Sequence, residues 1–272
     1  MNDPQKFLQE LFKAGLVAAD PLKILPPHLP APSKGRTIVI GAGKAAAAMA
    51  RAVEAHWKGA LSGVVVTRRG YDIKTEKIEV VEAAHPVPDE TSEAAARKIL
   101  KAVEGLSADD LVLCLMSGGG SSLLCLPAPC LSITEKQGIN KTLLKSGATI
   151  HEINCVRKHL SAIKGGRLAL AAQPARIVTL IISDVPGDDA ATVASGPTLP
   201  DPTTAGEALA VLEKYKIPVS DKMRAWLSDP AGETPKPGDA RFKNAETKII
   251  ARNMDVLMAA ADTPLRKGWS RF

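Results

Sequence analysis

Aromatic side chains are scarce in this chain: four Phe, three Trp and two Tyr among 272 residues. Proteins that hold single-stranded nucleic acid stack bases on aromatic platforms. That class is set aside even though the formal net charge is +6. Lys and Arg are spread along the chain rather than massed in one block, and such an excess suits a protein that binds small anions. Long apolar runs are missing too; none approaches the roughly 20 residues that a bilayer-spanning helix needs. The opening MNDPQKFLQELFKAGLVAAD carries acidic residues and no secretory cleavage pattern. A cytoplasmic protein with no membrane or nucleic-acid partner is expected. Cysteine is sparse as well. Cys114, Cys125, Cys130 and Cys155 include no C-x-x-C pair, which excludes the usual thiolate metal pattern and leaves reduced thiols.

What is present is alternation. Short β-branched runs, TIVI at 37, GVVVT at 63, IEVV at 78, LVLCLM at 111, IVTLII at 177 and KIIA at 248, are separated by longer helical patterns. Helices are expected to start near Lys44, Ser92, Thr134, Arg157, Thr203 and Asn253. This order predicts an α/β fold, a mostly parallel sheet with helices on both faces. Asp89 is placed to cap the second helix, Glu90 and Glu93 suit its first turn, and Gly105 ends it. Phe7, Leu8, Leu11, Phe12 and Leu16 lie at helical spacing and predict a packed N-terminal helix. The proline-rich stretch from Pro21 to Arg36 reads as an extended connector, and residues 228–244 as a surface loop. The expected organisation is therefore a helix and connector over 1–36, an α/β domain over 37–262, and a short tail over 263–272.

In an open parallel sheet, ligands gather at the carboxyl ends of the strands. Gly41, Gly43 and Ala46 form G-x-G-x-x-A after the first strand, a dinucleotide fingerprint, and Arg68 and Arg69 stand where a 2′-phosphate of NADP would be met. Lys44 fits that reading poorly: a cation at a helix N-terminus is unfavourable unless an anion sits there, and it suits a transferring phosphoryl group better. The run Ser117, Gly118, Gly119, Gly120, Ser121, Ser122 matches neither a Walker A loop nor a hydrolase elbow. Three adjacent glycines lose much backbone entropy on folding, and close approach of the backbone to a ligand is the simplest return. Arg157, Lys158, His159, Lys164 and Arg167 surround Gly165 and Gly166 and read as an anion clamp, with His159 unassigned. Asp184, Asp188 and Asp189 follow an apolar strand, where carboxylates hold Mg²⁺ beside phosphates. His85, in EAAHPVPDE, could face the same edge. The residues leave open a phosphotransferase, a reductase using NADH or NADPH, and a non-catalytic anion-binding remnant.

The ordered set VIGAGKAAAAMA, AAHPVPDE, SGGGSSLL, SGATIHEINCVRKHLSAIKGGRLA and SDVPGDDAATVASGPTLPD resembles the glycerate 2-kinase family, the type-II glycerate kinases, over about residues 5–260. Some bacterial members, found with tartrate catabolism, have been called hydroxypyruvate reductases. The resemblance implies a Rossmann-like N-terminal domain and phosphorylation of D-glycerate at its 2-hydroxyl with ATP and Mg²⁺. It also implies roles: Lys44 for the transferring phosphoryl group, Ser117 to Ser122 for phosphate or substrate, and Asp184, Asp188 or Asp189 for metal, with Asp184 and Asp189 in the catalytic set. Arg157 and Lys164 would neutralise the glycerate carboxylate or the phosphates. Family members are longer. After IIARNMDVLMAAAD the chain turns to TPLRKGWSRF, so the family's C-terminal domain is expected to be missing and activity reduced.

Overall fold

The structure, a computed structural model, describes residues 4–266. Six strands, β1 (Thr37–Ala42), β2 (Ser62–Arg68), β3 (Ile78–Ala83), β4 (Leu111–Ser117), β5 (Arg176–Ile182) and β6 (Ala245–Ala251), form one sheet in the order β3-β2-β1-β4-β5-β6. Every pairing is parallel. Each of the six β-branched runs thus becomes a strand, and the α/β expectation holds. Eleven helices are described: α1 (Pro4–Ala18), α2 (Pro21–Ile24), α3 (Ala46–His56), α4 (Glu90–Ala102), α5 (Gly120–Leu123), α6 (Ile133–Lys145), α7 (Ile150–His159), α8 (Arg167–Ala171), α9 (Ala205–Lys214), α10 (Asp221–Ser228) and α11 (Asn253–Arg266).

Successive side chains of a strand point to opposite faces, and the central strands are buried on both. Ile38, Ile40 and Ala42 of β1 pack with Ala95, Ile99 and Val103 of the α4 segment. Val39 joins Met49 and Val53 of α3 on the other face. A third core lies away from the sheet, where Ile139, Leu143, Ile153, Val156, Leu212 and Met223 unite α6, α7, α9 and α10. The α4 cap is as expected: Asp89 accepts from the backbone of Thr91 and Ser92, and Gly105 (φ +62°) follows the last turn.

Five local expectations are corrected or refined. Pro21–Arg36 is not simply extended: Asp20 caps α2, a 3₁₀ turn spans Pro26–His28, and Leu25 is fully buried against the α3 side of the sheet. Proline at the first helical positions fixes a φ that suits a helix start. No helix begins near Arg157. That residue lies in the last turn of α7, which starts after a Thr149–Glu152 capping box, and the chain turns at Gly165 and Gly166 before α8. Residues 228–244 hold two 3₁₀ turns and the buried Thr234. Helix α1 packs on α11, where a Cβ at Gly15 would lie 3.0 Å from Val256, yet Leu8 and Phe12 face outward. Residues 263–266 continue α11, whereas 267–272, with Trp269 and Phe272 of the expected tail, lie outside the described residues.

The strand order reverses between β1 and β4. That is the switch point at which open α/β sheets bind ligands, and the glycine turns after these two strands meet there.

Candidate active site

The two turns are fastened to each other. A Cβ at Gly41 would overlap Leu115 O, and one at Gly43 (φ +140°) would overlap Ser117 Oγ. Across this contact Lys44 N donates to Gly118 O at 2.9 Å and Ala45 N donates to Ser117 Oγ at 3.0 Å. Gly43 N donates to Val66 O and Ala46 N to Gly43 O, both at 3.1 Å. A dinucleotide fold aims such N–H groups at a pyrophosphate; here all four are already spent. Arg68 lies 4.2 Å from the Tyr71 ring centroid, and Arg69 pairs with Asp89 at 2.8 Å. The fingerprint spacing is real, but its backbone serves the fold.

The Lys44 side chain is what the turn offers. Its Nζ stands 3.6 Å from Asp184 Oδ2, and the two side chains are 43% and 46% exposed. Each of the three glycines has a separate reason. A Cβ at Gly118 would overlap the Asp184 carboxylate. At Gly119, with φ +83°, it would lie 2.8 Å from His85 Nε2 and 3.4 Å from Lys44 Cγ. At Gly120 it would lie 2.8 Å from Ala194 Cβ. Lys44, Asp184 and His85 therefore converge on one turn, as the strand-end argument anticipates.

Burial lowers the His85 pKa, the charges of Lys44 and Arg68 lower it further, and Asp184 opposes them. The imidazole is accordingly neutral at pH 7 and can accept a proton. An NMR titration of the ring is expected to give a midpoint below 6.5. Lys44→Met should move it upward and Asp184→Asn downward, because each change removes one of the opposing charges. A midpoint above 6.5 would contradict the arrangement.

The serines link the turn to its surroundings. Ser122 Oγ donates to Pro86 O at 2.7 Å. Ser121 Oγ is 2.9 Å from Ser195 Oγ, which donates to Asn154 Oδ1 of α7 at 3.0 Å. Ala194, Ser195 and Gly196 all have positive φ, near +53°, +62° and +58°. Two non-glycine residues in that region store strain that the surrounding bonds must hold.

Three of the expected site residues have partners within the protein. Lys164 is buried, and its ammonium donates to Ser121 O, Leu124 O and Ala194 O at 2.8, 2.8 and 3.3 Å. All three donors are used, so it braces the glycine turn. Burial brings its pKa down to about 7, with the nearby cations Lys136 and Arg157 adding to the fall. Asp189 accepts from Ala191 N and Thr192 Oγ within its own turn, and Asp188 (φ +53°) pairs with Arg252 at 3.5 Å. Neither closes a ligand cluster with Asp184: among the described residues no group of three His, Cys, Asp or Glu is placed to hold a metal.

Arg157 donates to Asn140 Oδ1 at 3.4 Å and lines a cavity beside the turn. The cavity's inner wall includes Lys136 of α6, which the motif reading missed. A signal existed: Ile133, Lys136, Ile139 and Leu143 form the buried stripe of that helix, and a lysine in an apolar stripe is an anomaly.

A family profile described as "Domain of unknown function (DUF4147)" matches residues 7–228. D-glycerate 2-kinase of Thermotoga maritima is 41% identical over 99% of this chain and 64% of its own length. The chain belongs to the DUF4147 glycerate kinase family. Another relative, from Agrobacterium vitis, is 51% identical over 97% of this chain and 60% of its own length; hydroxypyruvate reductase is its provisional name. The crystal structure of glycerate kinase from Thermotoga maritima superposes with a TM-score of 0.86 at 40% identity, covering 97% of this chain and 62% of that one. For this family member the shared body is the α/β unit just described, and the chain spans about three fifths of these relatives' length. Its family membership rests on the match over residues 7–228 and not on the glycine fingerprint alone.

Proposed function

We propose that this site transfers the γ-phosphoryl group of ATP to the 2-hydroxyl of D-glycerate or a close hydroxy acid. One observation carries the reading: Lys44 Nζ and the Asp184 carboxylate meet at the switch point, while the four N–H groups from Gly43 to Ala46 are bonded within the protein. The loose transition state of phosphoryl transfer spreads charge over three equatorial oxygens, and a fixed ammonium stabilises it. As the hydroxyl oxygen bonds to phosphorus and the bond to ADP breaks, the neutral His85 imidazole is the group available to take the hydroxyl proton. Asp184 is exposed enough to hold Mg²⁺, which takes one or two protein carboxylates and draws its other oxygens from water and phosphate. Bound there, the ion would neutralise phosphate charge. The relatives named glycerate kinase support the substrate class.

The test is ADP release from ATP, Mg²⁺ and D-glycerate, with ³¹P NMR to locate the phosphate. Glycerate-dependent ADP and a 2-phospho product are expected. NADPH absorbance should stay constant with hydroxypyruvate. Absence of glycerate-dependent ADP, together with absence of ATP binding by calorimetry, would overturn the reading.

A further inference from the structure

Behind the Ser121–Ser122 wall of the glycine turn lies a cavity of about 560 Å³, enclosed by α6, the 86–88 turn and the end of α7. Five basic side chains line it: Lys136, Lys141, Lys145, Arg157 and Lys164. No carboxylate does, and none of the five belongs to an ion pair among the described residues. Two of them are buried, which makes the omission costly. Lys136, 2% exposed, donates to the carbonyls of Arg157 and Leu160, and Lys164 is held as described above. Elsewhere the same fold treats a buried lysine differently: Lys158, one residue beyond Arg157, meets the Asp201 carboxylate at 3.2 Å. Leaving the cavity's charges uncompensated therefore reflects the cavity and not a general habit of this core.

The mouth has another character. Val87 and Leu144 are 61% and 65% exposed there, beside Pro88. Large apolar groups at the entrance and cations at the floor suit a ligand with one flat apolar end and one polyanionic end. A three-carbon acid would leave most of the space empty, whereas cavities of roughly 300–1,000 Å³ bury larger organic ligands. The groove along residues 228–241 is balanced rather than cationic, since Asp229, Glu233 and Asp239 line it together with Arg167, Lys236 and Arg241.

We propose that this cavity seats the nucleoside triphosphate, with the base against Val87, Pro88 and Leu144 and the phosphates over Lys136, Arg157 and the Ser121–Ser122 turn. This rests on the phosphotransferase reading. It places the terminal phosphate on the turn whose Gly119 adjoins Lys44 and His85. Lys44 then faces the transferring group and α6 the nucleotide, so the two glycine-turn faces divide the labour.

Calorimetric titration of the full chain with ADP, inorganic tripolyphosphate and D-glycerate tests it. Lys141 and Lys145 are exposed, so the double reversal Lys141→Glu/Lys145→Glu should leave the melting midpoint unchanged and weaken ADP and tripolyphosphate by at least about fivefold. Leu144→Ser should weaken ADP by about fivefold and leave tripolyphosphate unchanged, because only the base touches that side chain. Unchanged ADP affinity in both variants would overturn the seat while leaving the phosphotransferase reading intact. A loss confined to D-glycerate would overturn it equally, by assigning the cavity to the acid. Tripolyphosphate binding with no ADP binding in the unaltered chain would reject the nucleotide.

Discussion

Lys44→Ala is expected to lower glycerate-dependent ADP formation by about 10²–10³-fold, the usual loss when one preorganised charge donor at a transition state is removed. The fold should not notice. Lys44 is half-exposed, its one ion-pair partner among the described residues is the equally exposed Asp184, and surface pairs contribute little to stability. Its backbone N–H, which ties the β1 turn to Gly118 O, survives the substitution. A melting midpoint within a degree or two of the unaltered protein, with turnover collapsed, is thus the expected pair of readings. Lys44→Arg should not restore full rate, because a planar guanidinium cannot occupy the position of a compact ammonium. Turnover that persists in Lys44→Ala would remove the lysine from the chemistry.

The second large effect is on stability. Asp201 is fully buried and accepts from Lys158 Nζ at 3.2 Å, from Thr203 N at 3.2 Å and from Thr234 Oγ at 3.1 Å. The pair joins α7 to the segments before α9 and after α10, and the buried His159 stands beside it with Nδ1 2.9 Å from Cys155 O. Asp201→Ala leaves the Lys158 ammonium buried without a counter-charge, which costs about 3–5 kcal/mol. At about 2–4 °C per kcal/mol for a chain of this size, the thermal midpoint should fall by roughly 6–20 °C. Lys158→Met/Asp201→Leu should recover much of that loss, since an apolar pair of similar volume has no charge to desolvate. Differential scanning calorimetry of the three proteins checks both statements, and a shift under about 2 °C in Asp201→Ala would show that water reaches the lysine.

Legibility followed the range of the interaction. The strands were readable because a buried parallel strand is a continuous apolar run, and β1 and β4 are buried at every position. The Asp89 cap was readable because its partners lie within three residues. The α7 boundary was misread: the basic cluster drew the helix start to Arg157, although the Thr149–Glu152 box marks the true start upstream. At the site, Lys44, Asp184 and the three glycines were identifiable from residue type and strand-end position. Asp188, Asp189 and Lys164 looked equivalent to them in sequence. Their partners, Arg252, Thr192 and the carbonyls of Ser121, Leu124 and Ala194, are visible only in the folded chain.

By itself, then, the order of residues determined a parallel α/β sheet, the glycine turns after β1 and β4, and the presence of a lysine and an aspartate at strand ends, because periodicity and turn chemistry act over a few residues. Only the tertiary structure decided that Lys44 N and Ala45 N of the first turn are spent on the second, that Lys158 is neutralised by Asp201 and that the Lys136 cavity carries no carboxylate. Those outcomes depend on groups far apart in the chain, such as Lys158 and Asp201, or Lys164 and Ser121, each pair 43 positions apart. A charge's environment is set by packing, and packing is not a local property of the chain.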